Sequence, residues 1–173
     1  MLKSFQPTWQ IRSITKITPS QWKKEGIQTI LTDLDNTLVS WKEPLPTQEL
    51  KDWVHYLQSE GIQIIIISNN NKERVQLVAQ ELGVDYISRA LKPLPTGILK
   101  AIHRYHLNKE EVVMVGDQLM TDIQAARLAG VRSILVQPLV NTDSKATKFN
   151  RLMENKVKQK LQAANLWHWE DQL

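Results

Sequence analysis

Cysteine is absent from this chain of 173 residues. That excludes a disulfide framework, thiolate metal ligation and thiol nucleophilic catalysis. Glycine and proline are scarce, at 6 and 7 residues, and neither gathers into a flexible or stiff linker, so the chain reads as one domain. Long apolar runs are missing too: none approaches the roughly 18 residues that cross a bilayer. Residues 1–7 lack the apolar segment of a secretory leader, and the expectation is a cytoplasmic protein. Acidic residues are the minority, 18 against 22 Lys and Arg, for a net charge of +4. The excess favours anionic partners such as phosphates, anionic lipid surfaces or nucleic acid, and ordinary solubilising charge explains it as readily.

What is present is a core-forming pattern, with 42% apolar residues. Five short β-branched runs, at 27–34, 62–68, 86–88, 112–116 and 133–136, read as buried strands. Segments 47–60, 72–82, 95–106 and 121–129 between them carry helical spacing. Gly61, Gly83 and Gly130 stand where helices should stop. Alternating strands and helices predict an α/β fold with a central parallel sheet covered on both faces. Ligands in such sheets bind beyond the carboxyl ends of the strands.

Three polar groups fall at those ends. Asp33 and Asp35 close the first run, two residues apart, so both carboxylates can meet one small substrate or ion. Paired acids are costly to bury without a metal or substrate to compensate them. Ser68 and Asn69 close the second run, where a hydroxyl can bond a phosphoryl oxygen or merely cap a turn. Gly116 and Asp117 close the fourth, the glycine permitting a sharp turn that aims Asp117 at the same rim. Asp33, Asp35 and Asp117 together suit octahedral Mg²⁺. Lys92, held out of a helix by Pro93, is a point cation for phosphoryl charge or a solvated loop lysine. Asp122 reads equally as a helix cap or as a partner for Lys92 or the metal waters.

In this order and spacing the residues resemble the four-motif signature of the haloacid dehalogenase (HAD) superfamily: Asp33-x-Asp35-x-Thr37, then Ser68, then Lys92, then Gly116-Asp117 with Thr121-Asp122. The chain resembles the YqeG family of subclass IIIA in particular, through Ile14-Thr15-Lys16-Ile17-Thr18-Pro19, Lys24-Glu25-Gly26-Ile27, Lys92-Pro93-Leu94-Pro95, Gly116-Asp117-Gln118-Leu119-Met120-Thr121-Asp122 and Thr147-Lys148-Phe149-Asn150-Arg151. The resemblance implies a three-layer Rossmannoid fold. Residues 1–26 would form an N-terminal extension, 27–140 the core and 141–173 a basic helical tail. It implies a phosphatase with Asp33 as nucleophile, Asp35 as acid and base, and Lys92 offsetting charge. Thr37, Ser68, Asn69 and Lys92 would bind the phosphoryl group. Mg²⁺ would rest on Asp33, Asp117 and the Asp35 carbonyl. Kinship with mitochondrial phosphatidylglycerophosphate phosphatases implies a lipid phosphate substrate. The alternatives are a soluble phosphatase acting on a sugar phosphate, nucleotide or phosphoprotein, and an RNA- or protein-binding module with a vestigial site.

Only 38–67 and 70–91 separate the first three motifs, and helices and strands fill them, so no large cap domain is expected. An open site suits a bulky substrate, a membrane headgroup or a lid from a second subunit in an oligomer. Trp41, beside Pro44 and Pro46, either gates the site, touches lipid or packs the flap down. Residues 141–160 hold Lys145, Lys148, Arg151, Lys156, Lys158 and Lys160, ahead of Trp167 and Trp169. Such a helix either lies on the inner face of an anionic membrane or packs Leu152, Val157 and Leu161 on the body and solvates its charges. No nucleic-acid partner is expected. His103 and His106 read as surface histidines rather than a metal pair.

Overall fold

The structure, a computed structural model, describes residues 5–140 and 148–173, with backbone only for 148–153. The strands are β1 (Trp9–Ile11), β2 (Thr29–Thr32), β3 (Gln63–Ile67), β4 (Asp85–Ile87), β5 (Val112–Gly116) and β6 (Arg132–Val136). The helices are α1 (Pro19–Lys24), α2 (Gln48–Ser59), α3 (Lys72–Leu82), α4 (Thr96–Arg104), α5 (Gln124–Ala129) and α6 (Lys148–Ala163). All strand pairs are parallel, in the order β1-β6-β5-β2-β3-β4.

A strand buried on both faces shows continuous apolar sequence rather than alternation. In β3, Ile64 and Ile66 face a core with Val54 of α2 and Val75 and Val78 of α3. Ile65 and Ile67 face the opposite core, with Ile98 and Ala101 of α4 and Ala125, Ala126 and Ala129 of α5. This is the expected three-layer Rossmannoid arrangement, and no large cap stands among the described residues. Between β2 and α2 there is only a flap, 35–46, pinned by a bridge of Asp35 to Val39 and by the Thr47 cap of α2.

The expected elements stand with trimmed edges. The run 27–34 pairs as Thr29–Thr32, and 121–129 begins as a π-helical turn, Leu119–Ile123, before α5. Gly83 and Gly130 end α3 and α5 in the left-handed conformation that glycine adopts without strain. The N-terminal segment is integral to the core. β1 joins β6 at the sheet edge, and Ile11, Ile14, Ile17 and Trp22 are buried with the α2–α3 layer. α6 seats Leu161 and Val157 against Leu119, Ile123 and Leu135, with Trp167 and Trp169 on the same cluster. Leu152 and the side chains of Lys148 and Arg151 lie outside the described residues, as does Lys145.

The chain steps outward from β2 to β3 and β4, then returns to β5 on the other side of β2. A crevice at the carboxyl ends of β2 and β5, where the strand order reverses, is the expected ligand site of such sheets.

Candidate active site

Register brings the acids together. Thr32 of β2 pairs with Val115 of β5, and the Asp33 N–H donates to the Val115 carbonyl at 2.8 Å. Asp33 therefore leaves β2 beside Gly116-Asp117 at the end of β5. Gly116 is required by close approach: a Cβ there would lie 2.2 Å from Asp122 Cγ. The π-helical turn thus folds Asp122 back over the glycine. Its Oδ2 accepts from the Gln118 N–H at 3.1 Å.

Lys92 Nζ sits between two carboxylates, 2.6 Å from Asp33 Oδ1 and 2.7 Å from Asp122 Oδ1. All three residues are buried, with Lys92 6% exposed, Asp33 8% and Asp122 1%. The loop that carries Lys92 is held by Asn69, whose Oδ1 accepts from the Lys92 N–H at 2.8 Å and whose Nδ2 donates to its carbonyl at 2.9 Å. Asn69 thus grips the Lys92 backbone. The Ser68 hydroxyl accepts from Asn70 N–H at 3.1 Å, and the Thr37 hydroxyl donates to Asp117 Oδ1 at 3.4 Å. Ser68, Asn69, Lys92, Asp33, Asp117 and Thr37 all belong to one rim. Asp122 is the partner of Lys92 and not the cap of α5, whose N-cap position is Ile123 with no side-chain cap.

Asp35 stands slightly apart. Its Oδ2 accepts from Asn70 Nδ2 at 2.9 Å and its Oδ1 from Arg74 Nη2 at 3.2 Å. Sequence reasoning missed Asn70, Arg74 and the buried Glu154, whose Oε1 accepts from the Leu119 N–H at 2.7 Å and so ties α6 to the turn bearing Asp117 and Asp122.

Ligating oxygens of Asp33, Asp117 and Asp122 lie within 4.8 Å of one another. Burial pushes the Asp33 carboxyl up to about 7; Lys92 opposes the rise and Asp122 adds to it. Burial also raises Asp117 well above the usual range, helped by the Asp122, Asp33 and Glu154 charges. Burial would lower Lys92, yet Asp122 and Asp33 outweigh it and hold the ammonium above its ordinary value. One lysine among three acids leaves an anionic excess that a divalent cation would neutralise. An all-oxygen donor set suits Mg²⁺. Asp122 already has both oxygens engaged, so Asp33 and Asp117 are the side chains that fit the ion. His103 and His106 join no group of three ligating side chains among the described residues.

Trp41, Leu45, Leu91, Leu94 and Leu139 are exposed, and Leu91 directly precedes Lys92 in the chain. Leu139 and Trp41 are tied to Asn36, whose carbonyl and side-chain oxygen accept from their N–H groups at 3.0 and 3.5 Å.

A family model described as haloacid dehalogenase-like hydrolase matches residues 6–130. The chain is 37% identical to the "Probable phosphatase YqeG" of Bacillus subtilis over 98% of both sequences. Among solved structures, an uncharacterized protein from Listeria monocytogenes superposes with a TM-score of 0.52 at 18% identity, covering 77% of this chain and 99% of the other. The cobalt-bound deoxy-D-mannose-octulosonate 8-phosphate phosphatase YrbI of Haemophilus influenzae gives 0.50 at 15% identity, covering 79% and 90%. These two structures share the fold.

Proposed function

The chain belongs to the haloacid dehalogenase-like hydrolases, and from that membership we propose a Mg²⁺-dependent phosphatase that cleaves a phosphate monoester through an aspartyl-phosphate on Asp33. The observation that carries this reading is the buried Lys92 held between Asp33 and Asp122, with Asp35 two residues beyond Asp33 and Asp117 beside it. An ionised lysine with two acids in a buried pocket contributes little net stability. It is well suited to receive a tri-oxygen anion.

Asp33 attacks phosphorus as the ester P–O bond breaks, and Asp35 gives its proton to the departing oxygen. Asp35 then takes a proton from a water that attacks the same phosphorus. The bond to Asp33 breaks and inorganic phosphate leaves. Lys92 offsets charge on the nonbridging oxygens. Asp33, Asp117 and the Asp35 carbonyl would hold Mg²⁺, which when bound would supply further positive charge for those oxygens. Ser68 and Thr37 line the phosphoryl site, and Asn69 fixes the height of Lys92.

The substrate we propose is a lipid phosphate, with phosphatidylglycerophosphate as the leading candidate. The exposed Trp41, Leu45, Leu91, Leu94 and Leu139, on the flap, the Lys92 loop and the segment after β6, support it. The test is hydrolysis of p-nitrophenyl phosphate with Mg²⁺, with EDTA and with Ca²⁺, followed by a panel of detergent-solubilised lipid phosphates and water-soluble sugar phosphates. Mg²⁺-dependent turnover with preference for the lipid supports the reading. Turnover unaffected by EDTA removes the metal, and preference for a sugar phosphate removes the lipid.

A further inference from the structure

Arg74 is the third residue of α3, one turn from its Asn71 cap, where the helix dipole disfavours a cation. Its guanidinium ties both ends of the flap to α3. Nη1 donates to the Pro44 carbonyl of the flap at 2.6 Å, and Nη2 to Asp35 Oδ1 at 3.2 Å. Asn70 holds the other oxygen of Asp35. The side chain of Arg74 is 17% exposed and that of Asp35 25%. A partly solvated pair of this kind adds little stability, so its geometry is the more telling property.

We propose that Arg74 is a positioning residue that pins the Asp35 carboxyl and the far end of the flap to α3 and so fixes the direction in which Asp35 delivers its proton. This rests on the phosphatase reading above. A carboxyl group at the end of one free torsion can present its O–H along several directions, and only one meets the departing ester oxygen. With Oδ2 on Asn70 and Oδ1 on a guanidinium that is itself anchored to the flap, the torsion has one setting. Arg74 transfers no proton. The proton moves from Asp35 to the ester oxygen as the P–O bond breaks, and Asp35 recovers it from water. The planar fork matters, since it reaches Pro44 and Asp35 at once, whereas an ammonium reaches one of them.

The experiment compares wild type with Arg74→Gln and Arg74→Lys on aryl and alkyl phosphates of rising leaving-group pKa. The readout is kcat/KM, which covers only steps up to departure of the leaving group. An aryl oxygen leaves without a proton, while an alkyl oxygen needs one. Arg74→Gln should lose about threefold or less on p-nitrophenyl phosphate and about thirtyfold or more on alkyl phosphates, a part of the roughly 10²–10⁴-fold that a general acid contributes, since Asp35 itself remains. Arg74→Lys should show a smaller steepening of the same sign, and it carries the test alone should Arg74→Gln fail to fold. Equal losses across the series, or none, overturn the proposal and leave the phosphatase reading standing. A wild type that cleaves no phosphate ester overturns that reading, and this inference with it.

Discussion

At the scale of single residues, the tension around Asp33 is the central fact. Burial, against the pull of Lys92, favours its protonated form, yet a nucleophile must be ionised. Asp33→Asn should therefore lower kcat by about four orders of magnitude or more, as losses of essential covalent catalysts do, while raising the melting temperature of the metal-free protein at pH 8, because a neutral isostere removes a buried charge. A variant that retains a tenth of wild-type activity, or melts lower, contradicts the assignment. The same tension predicts a pH dependence. The unfolded chain releases this proton near 3.8, and the folded protein keeps it until about 7. The group therefore withdraws stability as pH rises through that window. Mg²⁺ needs the carboxylate, so it should raise the melting temperature more at pH 8 than at pH 5.5. An equal rise at both, or none, removes the ion from this site. Asp33, Asp35, Lys92 and Asp117 were legible in the sequence because each ends a strand or sits in a marked loop. Arg74 and Glu154 were not, since each is one charge among many on a helix. The single local signal was a basic residue in the first turn of α3, against the dipole.

At the scale of elements, β2, β3, β5 and β6 were legible through their β-branched runs, and the helices through spacing and glycine stops. β1 was not: three residues, Trp9–Ile11, carry no period, and only pairing with β6 makes them a strand. α1 had an unread signal in Thr18-Pro19-Ser20-Gln21, which forms a capping box with proline at its start. The π-helical turn had none, because it follows from Asp122 folding over Gly116. Gly116→Ala tests that element. Its methyl group must displace the Asp122 carboxylate, costing about 1–3 kcal/mol as overpacking does and unseating Lys92. Both stability by denaturant titration and turnover should fall, and a variant with wild-type turnover would detach the turn from the chemistry.

At the scale of the whole molecule, α6 is a strut for the site as well as a basic surface. Glu154 reaches the Leu119 N–H from it, and Leu161 is fully buried. Glu154→Ala leaves that buried N–H without its carboxylate and should cost about 1–3 kcal/mol in a chemical melt. Unchanged stability would make the contact incidental. No helix among the described residues is long and apolar enough to cross a membrane. The exposed Trp41, Leu45, Leu91, Leu94 and Leu139, with Lys42 over the Trp41 ring, should bind phosphatidylglycerol vesicles at low salt and release them as salt rises, since screening acts over ~8 Å at physiological ionic strength. Equal co-sedimentation with phosphatidylcholine, or none with either, leaves the lipid proposal to family kinship. The edge position of β1 bears on how the protein is made. Thr8 and Ser133, which meet where β1 joins β6, are 125 residues apart in the chain, and the Glu170 backbone bonds to both Gln10 and Arg12. During translation β1 emerges well before β6 and finds this partner only after the residues between them have left the ribosome. A nascent chain stalled before β6 would carry an unsatisfied strand edge, the surface to which chaperones and misassembly are both drawn.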